Sequence, residues 1–170
     1  SKKLSGDVGE MEKMLNEYLQ FASSRSAETT ETFDLSELLE TTIMKYEKKE
    51  ITTDISKEVF LDGRKNLMQR CFSNLIDNAI KYSANVYISL RKLNNNILIT
   101  IDDDGPGIPE NERENVFKPF YKIDKSRGDS KSSVGLGLSI ASDIVKSHGG
   151  NIKLETSPTN GLRIKVILPF

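Results

Sequence analysis

The segment from Arg64 to Tyr82 constrains the fold more than any other part of the chain, because it predicts a helix with two different faces. Apolar residues recur at helical spacing on one face and predict a packing surface. These residues are Met68, Phe72, Leu75, Ile76 and Ala79. A neighbouring stripe carries two carboxamides, an ammonium group and a phenol, namely Asn74, Asn78, Lys81 and Tyr82. We therefore expect one face of the helix to cover a core and the other to meet a ligand.

Composition narrows the class of protein. The chain has 170 residues, of which 36% are hydrophobic, enough for one core with an appended element. A net charge of −1 gives no electrostatic case for nucleic acid. The apolar runs are too short to cross a bilayer and the N-terminus lacks a secretory pattern, so we expect a soluble, cytoplasmic chain without membrane contact.

The chain divides near residue 30. Apolar residues at steps of three and four predict a first helix, over residues 1–25, that packs against other helices. Its apolar positions are Val8, Met11, Leu15, Tyr18 and Ala22. The polar stretch that follows predicts a linker over residues 26–33. A domain over residues 34–170 then opens with a helix that Asp34 can cap, Glu37 being placed for a capping box.

The rest of the pattern predicts an α+β fold, with helices on one face of a mostly antiparallel sheet. Short strands are expected at 51–55 and 59–61, and a hairpin at 86–101 that turns at three asparagines. A short helix is expected near 110–115 and a longer one at 136–147. Two final strands are expected, around 152–155 and 162–168.

The polar stripe predicts a magnesium nucleotide site. Magnesium prefers oxygen ligands and keeps several waters, so one carboxamide oxygen together with substrate phosphates can hold it. Asn78 is the candidate ligand, with Asn74 beside it, and Lys81 would supply positive charge to phosphate. Tyr82 has two interpretations, a ring laid against the base or a core tyrosine.

Asp103 begins a string, Asp-Asp-Gly-Pro-Gly-Ile, at the end of a predicted strand. Gly105 and Gly107 allow a ligand to approach closely, and Ile108 ends the string. A carboxylate at Asp103 can accept from the N6 amino group of adenine, whereas guanine presents an acceptor there, a difference of roughly 1 to 3 kcal/mol. The alternative interpretation of the string is an ordinary turn.

A third motif opens the helix at 136–147. The free N–H groups of a helix start can receive phosphate oxygens, and the motif comprises Gly135, Leu136, Gly137 and Leu138. The basic, serine-rich stretch before it predicts a lid that closes over phosphate, with a solvated charge run as the alternative. Phe117, Phe120 and Tyr121 would anchor the first half of this lid, and its basic groups include Lys122 and Arg127.

In this order and spacing, the motifs resemble the N, G1, F and G2 boxes of the catalytic, ATP-binding domain of sensor histidine kinases, within the superfamily that includes gyrase, heat-shock chaperones and mismatch-repair proteins. The resemblance covers about residues 33–170 and implies an α/β sandwich with ATP between the asparagine helix and a lid. The first helix resembles the second helix of the hairpin that dimerises and carries the phosphoacceptor histidine. The implied cofactors are ATP and Mg²⁺.

Carried over by position, the resemblance implies that Asn78 is the magnesium ligand and Asn74 its partner. Lys81 would contact phosphate, Tyr82 the base side and Asp103 the adenine. Lys122 stands where many relatives have a lid arginine, and an ammonium cannot make the same bidentate contact. Ser133 replaces a common glycine, and Leu162 stands where Ser or Thr is frequent.

One departure concerns the nucleophile, because no histidine with an adjacent acid occurs in residues 1–30. We expect no catalytic residue here and a phosphoacceptor supplied by other sequence. The only histidine, His148, precedes two glycines and is expected to cap a helix. The resemblance further implies a dimer through the hairpin helices, a full-length protein often anchored in a membrane, and a response-regulator receiver domain as partner.

Two rival functions remain open. A gyrase-like or chaperone-like ATPase would have a glutamate at position 74 to activate water, and Asn74 cannot act as that base. A nucleotide-sensing scaffold would bind ATP and dock a partner through the first helix without transferring phosphate.

Overall fold

A five-stranded sheet with three helices on one face forms the body of the chain. The computed structural model describes residues 2–46, 50–121, 123 and 136–170. The helices are α1 (Lys2–Ala27), α2 (Leu35–Ile43), α3 (Lys65–Tyr82) and α4 (Gly137–Ser147). The strands are β1 (Glu31–Asp34), β2 (Glu50–Ile55), β3 (Phe60–Gly63), β4 (Asn85–Leu93), β5 (Asn96–Asp103), β6 (Asn151–Thr156) and β7 (Leu162–Pro169).

The strands follow the order β2-β4-β5-β7-β6, and only the β2–β4 pair is parallel within this sheet. The hairpin β4–β5 pairs Ile88 with Ile101, so the alternating apolar residues of both strands share one face. A separate two-stranded sheet joins β1 to β3. The predicted α+β class, a two-layer sandwich, is confirmed.

The core lies between the inner face of the sheet and the apolar faces of α2, α3 and α4. All five residues predicted to pack on the long helix are fully buried, which confirms its two-faced character. Phe72 and Leu75 are among the largest fully buried side chains. Truncating a buried leucine such as Leu75 to alanine would cost about 2 to 5 kcal/mol, since the void does not fully collapse.

The predicted linker at 26–33 differs from the structure. α1 continues to Ala27 and β1 starts at Glu31, so only residues 28–30 lie outside regular structure. Phe33 is buried and pairs with Leu61 of β3, a long-range contact that local polarity did not reveal. The Asp34 cap is confirmed, since its carboxylate accepts from the backbone N–H of Glu37 at 3.1 Å. The division into hairpin helix, linker and catalytic domain stays a prediction.

The segment after β5 also differs from expectation. Two three-residue 3₁₀ turns, Glu110–Glu112 and Asn115–Phe117, replace the predicted short helix. Phe117 and Tyr121 pack partly against the core, as an anchor would, but Phe120 is 54% exposed and was wrongly assigned to the anchor. Its φ of 66° lies in the left-handed region, which non-glycine residues seldom adopt.

The apolar face of α1 points away from the domain. Val8, Met11, Leu15 and Tyr18 are all exposed, whereas Phe21 is buried and contacts the domain. The guanidinium of Arg70, on α3, lies 5.8 Å from the Phe21 ring centroid and donates to the Glu17 carbonyl. No helix within the described ranges combines the length and apolarity that a bilayer span requires.

Candidate functional site

The polar stripe of α3 lies beside the core rather than within it. Asn74, Asn78 and Lys81 are half-buried, and Tyr82 at the end of the helix is 47% exposed. Its exposure excludes the interpretation of Tyr82 as a core tyrosine. The Lys81 ammonium lies 5.6 Å from the centroid of the Tyr82 ring, so the positive charge and the aromatic surface adjoin.

The stripe meets the start of α4. The Asn74 side-chain amide donates to the Gly137 carbonyl at 3.4 Å, and a Cβ placed on Gly137 would meet no atom within 4 Å among the described residues outside its chain neighbours and its own helix backbone. The first N–H groups of α4 therefore lie beside the stripe. Leu136 is fully buried and Leu138 partly buried, so their side chains serve the core and only their backbone could face a phosphate.

Asp103, at the end of β5, is only 3% exposed, and its carboxylate is held by backbone. Its Oδ1 accepts from the N–H groups of Gly105 at 2.9 Å and Leu162 at 3.0 Å. Among the described residues, no hydrogen bond reaches Oδ2. The side chain therefore has one oxygen fixed by the protein and a second that a ligand donor can use.

The glycine string after Asp103 packs against the end of α3. A Cβ on Gly105 would lie 2.4 Å from the Tyr82 carbonyl oxygen, so any larger residue would push the two elements apart. Gly107 has a φ of 73°, a conformation that favours glycine. The carbonyl of Ile108 accepts from Arg113 Nε at 3.1 Å, which fixes the string from its other side.

The three predicted motifs thus converge along α3, which carries the polar stripe. The glycine motif at the start of α4 lies near the middle of this helix, and the string that begins at Asp103 lies at its end. Lys122, Arg127 and Gly135 lie outside the described residues, and so does Ser133. Tyr121 donates to the Glu112 carboxylate, and this bond raises the pKa of the tyrosine. The Tyr121 hydroxyl is therefore already bonded to Glu112, and the predicted contact of Tyr121 with a nucleotide stays a prediction.

A cavity of about 500 Å³ adjoins the stripe on the side of α1. Its walls combine α1, α3 and the start of α4, and include Glu17, Gln20, Arg70, Asn74 and Gly137. The cavity is mostly polar, and it places α1 close to the point where the stripe and α4 meet.

The donor set near the stripe fits a magnesium ion carried by a nucleotide. Among the described residues, no three His, Cys, Asp or Glu side chains are grouped as a resident metal site would require. Asp77, next to the metal candidate, already accepts from the Tyr46 hydroxyl at 2.7 Å. A carboxamide oxygen on Asn78, with phosphates and water completing the shell, is the arrangement that magnesium accepts.

The sequence analysis missed three residues that hold the site elements in place, two at Asp103 and one at the start of α3. Ser157 and Thr159 both donate to the Asp103 carbonyl, at 2.7 and 3.0 Å. Glu28 accepts from the backbone N–H groups of Asn66 and Leu67, at 2.7 and 3.0 Å, and so caps α3 from outside. The Ser-Pro-Thr-Asn-Gly turn was the only signal for the two hydroxyls, because such residues favour turns that bond to nearby backbone.

His148 caps α4, as expected, and both of its ring nitrogens are engaged. The N–H of Arg64 donates to Nε2 at 3.0 Å, so the proton sits on Nδ1, which donates to the Ile144 carbonyl at 2.7 Å. Burial lowers the pKa of His148, with a further decrease from Arg64. Held between α3 and α4, this ring is not placed to receive a phosphoryl group.

The part of the chain that carries this site matches a known family. The family model for "Histidine kinase-, DNA gyrase B-, and HSP90-like ATPase" matches residues 63–170. The chain belongs to this family. All the described site elements, from α3 to the turn after β6, fall inside the matched range.

Sensor histidine kinases are prominent among its relatives in this family. CpxA of Escherichia coli K12, a sensor histidine kinase, is 37% identical over 111 residues, which is 65% of this chain and 24% of that protein. The sensor histidine kinase GtrS of Pseudomonas aeruginosa is 32% identical over 171 residues, 99% of this chain and 35% of that protein. The chain therefore spans about a quarter to a third of these relatives.

Solved structures of histidine kinases also superpose on this chain. The mycobacterial sensor histidine kinase MprB superposes with a TM-score of 0.73 at 26% identity, covering 83% of this chain and 97% of that one. The histidine kinase domain of the E. coli osmosensor EnvZ gives 0.63 at 31% identity, over 82% and 88%. The resemblance to a histidine kinase catalytic domain is confirmed, and with it the fold.

Proposed function

We propose that this chain binds MgATP along α3 and presents its γ-phosphoryl group to a histidine of a partner helix. The observation that carries the proposal is the meeting of three elements along one helix. Asn74 bonds the stripe to the start of α4. Gly105 allows the string that begins at Asp103 to pack against the Tyr82 carbonyl. A triphosphate lying between these points would run from Asp103 past Asn78 towards the helix start at Gly137.

Each residue of the site has a distinct role in this proposal. Asn78 would hold the magnesium ion, and when bound the ion would neutralise phosphate charge. Lys81 would add a further positive charge beside the phosphates. Asp103 would accept from the exocyclic amino group of adenine through Oδ2. The N–H groups at the start of α4 would receive phosphate oxygens.

Asn74 favours transfer to an imidazole over hydrolysis. Its amide donates to the Gly137 carbonyl, a contact that a glutamate carboxylate could not make. A neutral imidazole is already a nucleophile and needs only alignment and charge neutralisation. Its nitrogen forms a bond to the γ-phosphorus as the bond to the β-phosphate oxygen breaks, giving ADP and phosphohistidine.

The acceptor would come from outside the 170 residues, since His148 is the only histidine and is held by Arg64 and Ile144. The exposed apolar face of α1 is suited to pack against further helices. We infer that it forms part of a dimeric hairpin bearing this acceptor. A receiver-domain aspartate of a response regulator would then take the phosphoryl group, and the full-length protein would hold this domain in the cytoplasm at a membrane.

Phosphotransfer in trans tests the proposal. The chain is mixed with γ-labelled ATP, magnesium and a separate helical hairpin carrying a histidine. We expect acid-labile, base-stable label on the hairpin, and none with the Asn78→Ala variant. Steady release of inorganic phosphate without labelled hairpin would indicate an ATPase. ATP binding with neither product would indicate a nucleotide-sensing scaffold.

A further inference from the structure

The turn between β6 and β7 holds Asp103 through its main chain. Ser157 is 4% exposed, and its hydroxyl donates to the Asp103 carbonyl at 2.7 Å. The Ser157 hydroxyl oxygen also accepts from the N–H of Gly161 at 2.9 Å. A hydroxyl has one proton, so with that proton directed to the Asp103 carbonyl the oxygen is left to accept from Gly161, and it also lies 3.1 Å from Thr159 Oγ1.

The two hydroxyls lie where the pairing of β5 with β7 ends, while Asp103 still pairs with Val86 of β4 on its other side. The pairing of β5 with β7 ends at Asp102 and Arg163, so Asp103 lies one residue beyond it. A buried carbonyl without a partner would cost about 1 to 3 kcal/mol. Ser157 supplies that partner, and Thr159 donates to the same oxygen at 3.0 Å.

The turn also approaches the Asp103 side chain. The N–H of Leu162 binds Oδ1, and a Cβ on Gly161 would lie 2.1 Å from the Asp103 carbonyl and 2.6 Å from Oδ1. The turn and the first residue of β7 therefore bond to both the main-chain carbonyl and the carboxylate of Asp103. Leu162 stands where the resemblance led us to expect a hydroxyl, and here two hydroxyls come from earlier in the turn.

We propose that Ser157 is a positioning residue that sets the orientation of the Asp103 carboxylate and thereby the preference for a purine bearing an exocyclic amino group. Thr159 assists it from the exposed side of the turn. This inference rests on the proposed function, in which Asp103 reads the base. The bonds of the Ser157 hydroxyl are to the main chain of Asp103 and Gly161, so its effect on the base would be indirect.

The test compares two nucleotides that differ in one group, ATP and purine riboside triphosphate, which lacks the 6-amino group. Their dissociation constants are measured by calorimetry with magnesium for the wild type, Ser157→Ala, Ser157→Thr and Thr159→Val. We expect Ser157→Ala to reduce the preference for ATP about three- to tenfold, the scale of one hydrogen bond. Its affinity for the analogue should change little, and Ser157→Thr should keep the preference.

Thr159→Val should reduce the preference by about twofold, because Ser157 still holds the carbonyl. As Thr159 is exposed, this variant tests the idea even if Ser157→Ala fails to fold. The matched control is Thr53→Val on the edge strand β2, which should leave the preference unchanged.

The outcomes separate the two proposals. A wild type that binds both nucleotides equally would overturn the base-reading role of Asp103 and this inference with it. A wild type that prefers ATP, with folded Ser157→Ala and Thr159→Val variants keeping the full preference, would overturn the role of Ser157 alone. Equal weakening of both nucleotides in Ser157→Ala would also overturn it, because a general loss of structure would explain that result.

Discussion

The two ends of α3 are built differently. At the first end, Glu28 caps two N–H groups and the Arg64 guanidinium donates to Ser147 Oγ at 2.7 Å, while its backbone N–H donates to His148. At the other end, Asn78 and Tyr82 present polar and aromatic groups beside a glycine loop. The polar groups of the first end bond to other parts of the protein, whereas Asn78 and Tyr82 at the second end are the groups that we propose to contact the nucleotide.

This difference separates stability from binding within one helix. Substitutions at the first end should change the free energy of unfolding and leave nucleotide affinity nearly unchanged. Substitutions in the second half of the stripe should do the opposite, because half-exposed polar groups contribute little to folding. The fully buried face between them, with Leu75 and Ile76, ties both ends to the same core.

The largest effect is expected at Asn78. The Asn78→Ala variant should weaken magnesium-dependent ATP binding by about 100-fold or more, since even residues that only support metal ligands are worth 10- to 100-fold. Calorimetry with and without magnesium measures this change. The control is Asn66→Ala, the same substitution at the first end of the helix, which should bind normally. Equal affinities of the two variants would remove Asn78 from the site.

The next effect concerns the cap. Glu28→Ala should lower the free energy of unfolding by about 1 to 2 kcal/mol, because two N–H groups at the start of α3 lose their acceptor. Urea unfolding measures the loss, and Glu31→Ala removes the same charge from an exposed strand position as a control. ATP affinity should stay within about twofold of wild type. A stable variant with impaired nucleotide binding would contradict the division between the two ends.

Tyr82 should show a smaller change. If its ring lies against the base, Tyr82→Ala should weaken ATP binding by about three- to tenfold, the scale of an aromatic contact, with little loss of stability. Tyr87→Ala is a suitable comparison, since Tyr87 is also exposed but lies on the outer face of the sheet. Identical ATP affinities for wild type and Tyr82→Ala would place the base elsewhere.

The smallest effect is a pH dependence at the first end. Because burial holds the pKa of His148 below its usual 6.5, protonation is harder in the folded state than in the unfolded one. The stabilisation from neutral His148 is therefore fully present above pH 6.5 and is lost as pH falls through the lowered pKa. Unfolding between pH 8 and 5 should show a steeper loss for wild type than for His148→Gln. Parallel curves would mean that His148 does not contribute.

The sequence predicted the elements whose signal is local. The period of α3 assigned its buried face correctly, and the alternation in β4 and β5 predicted the hairpin that leads to Asp103. Helical and strand periods reflect which side of an element is buried, so they can be read without knowing the partner.

The features that escaped prediction depend on partners distant in sequence. Glu28 bonds to Asn66 across 38 residues, and Ser157 to Asp103 across 54. Serines and glutamates of this kind are common in polar segments, and only the fold selects which of them meets a backbone group. β1 was missed for the same reason, because its four residues gain their pairing only from β3.

Mapping amide chemical shifts in solution during titration with magnesium and a non-hydrolysable ATP analogue tests the central claim most directly. The account predicts changes concentrated at residues 74–82, 103–108 and 136–138, with residues 64–69 and 148 little affected. Changes concentrated instead around the cavity at Gln20 and Arg70, with Asn78 and Asp103 unmoved, would contradict it.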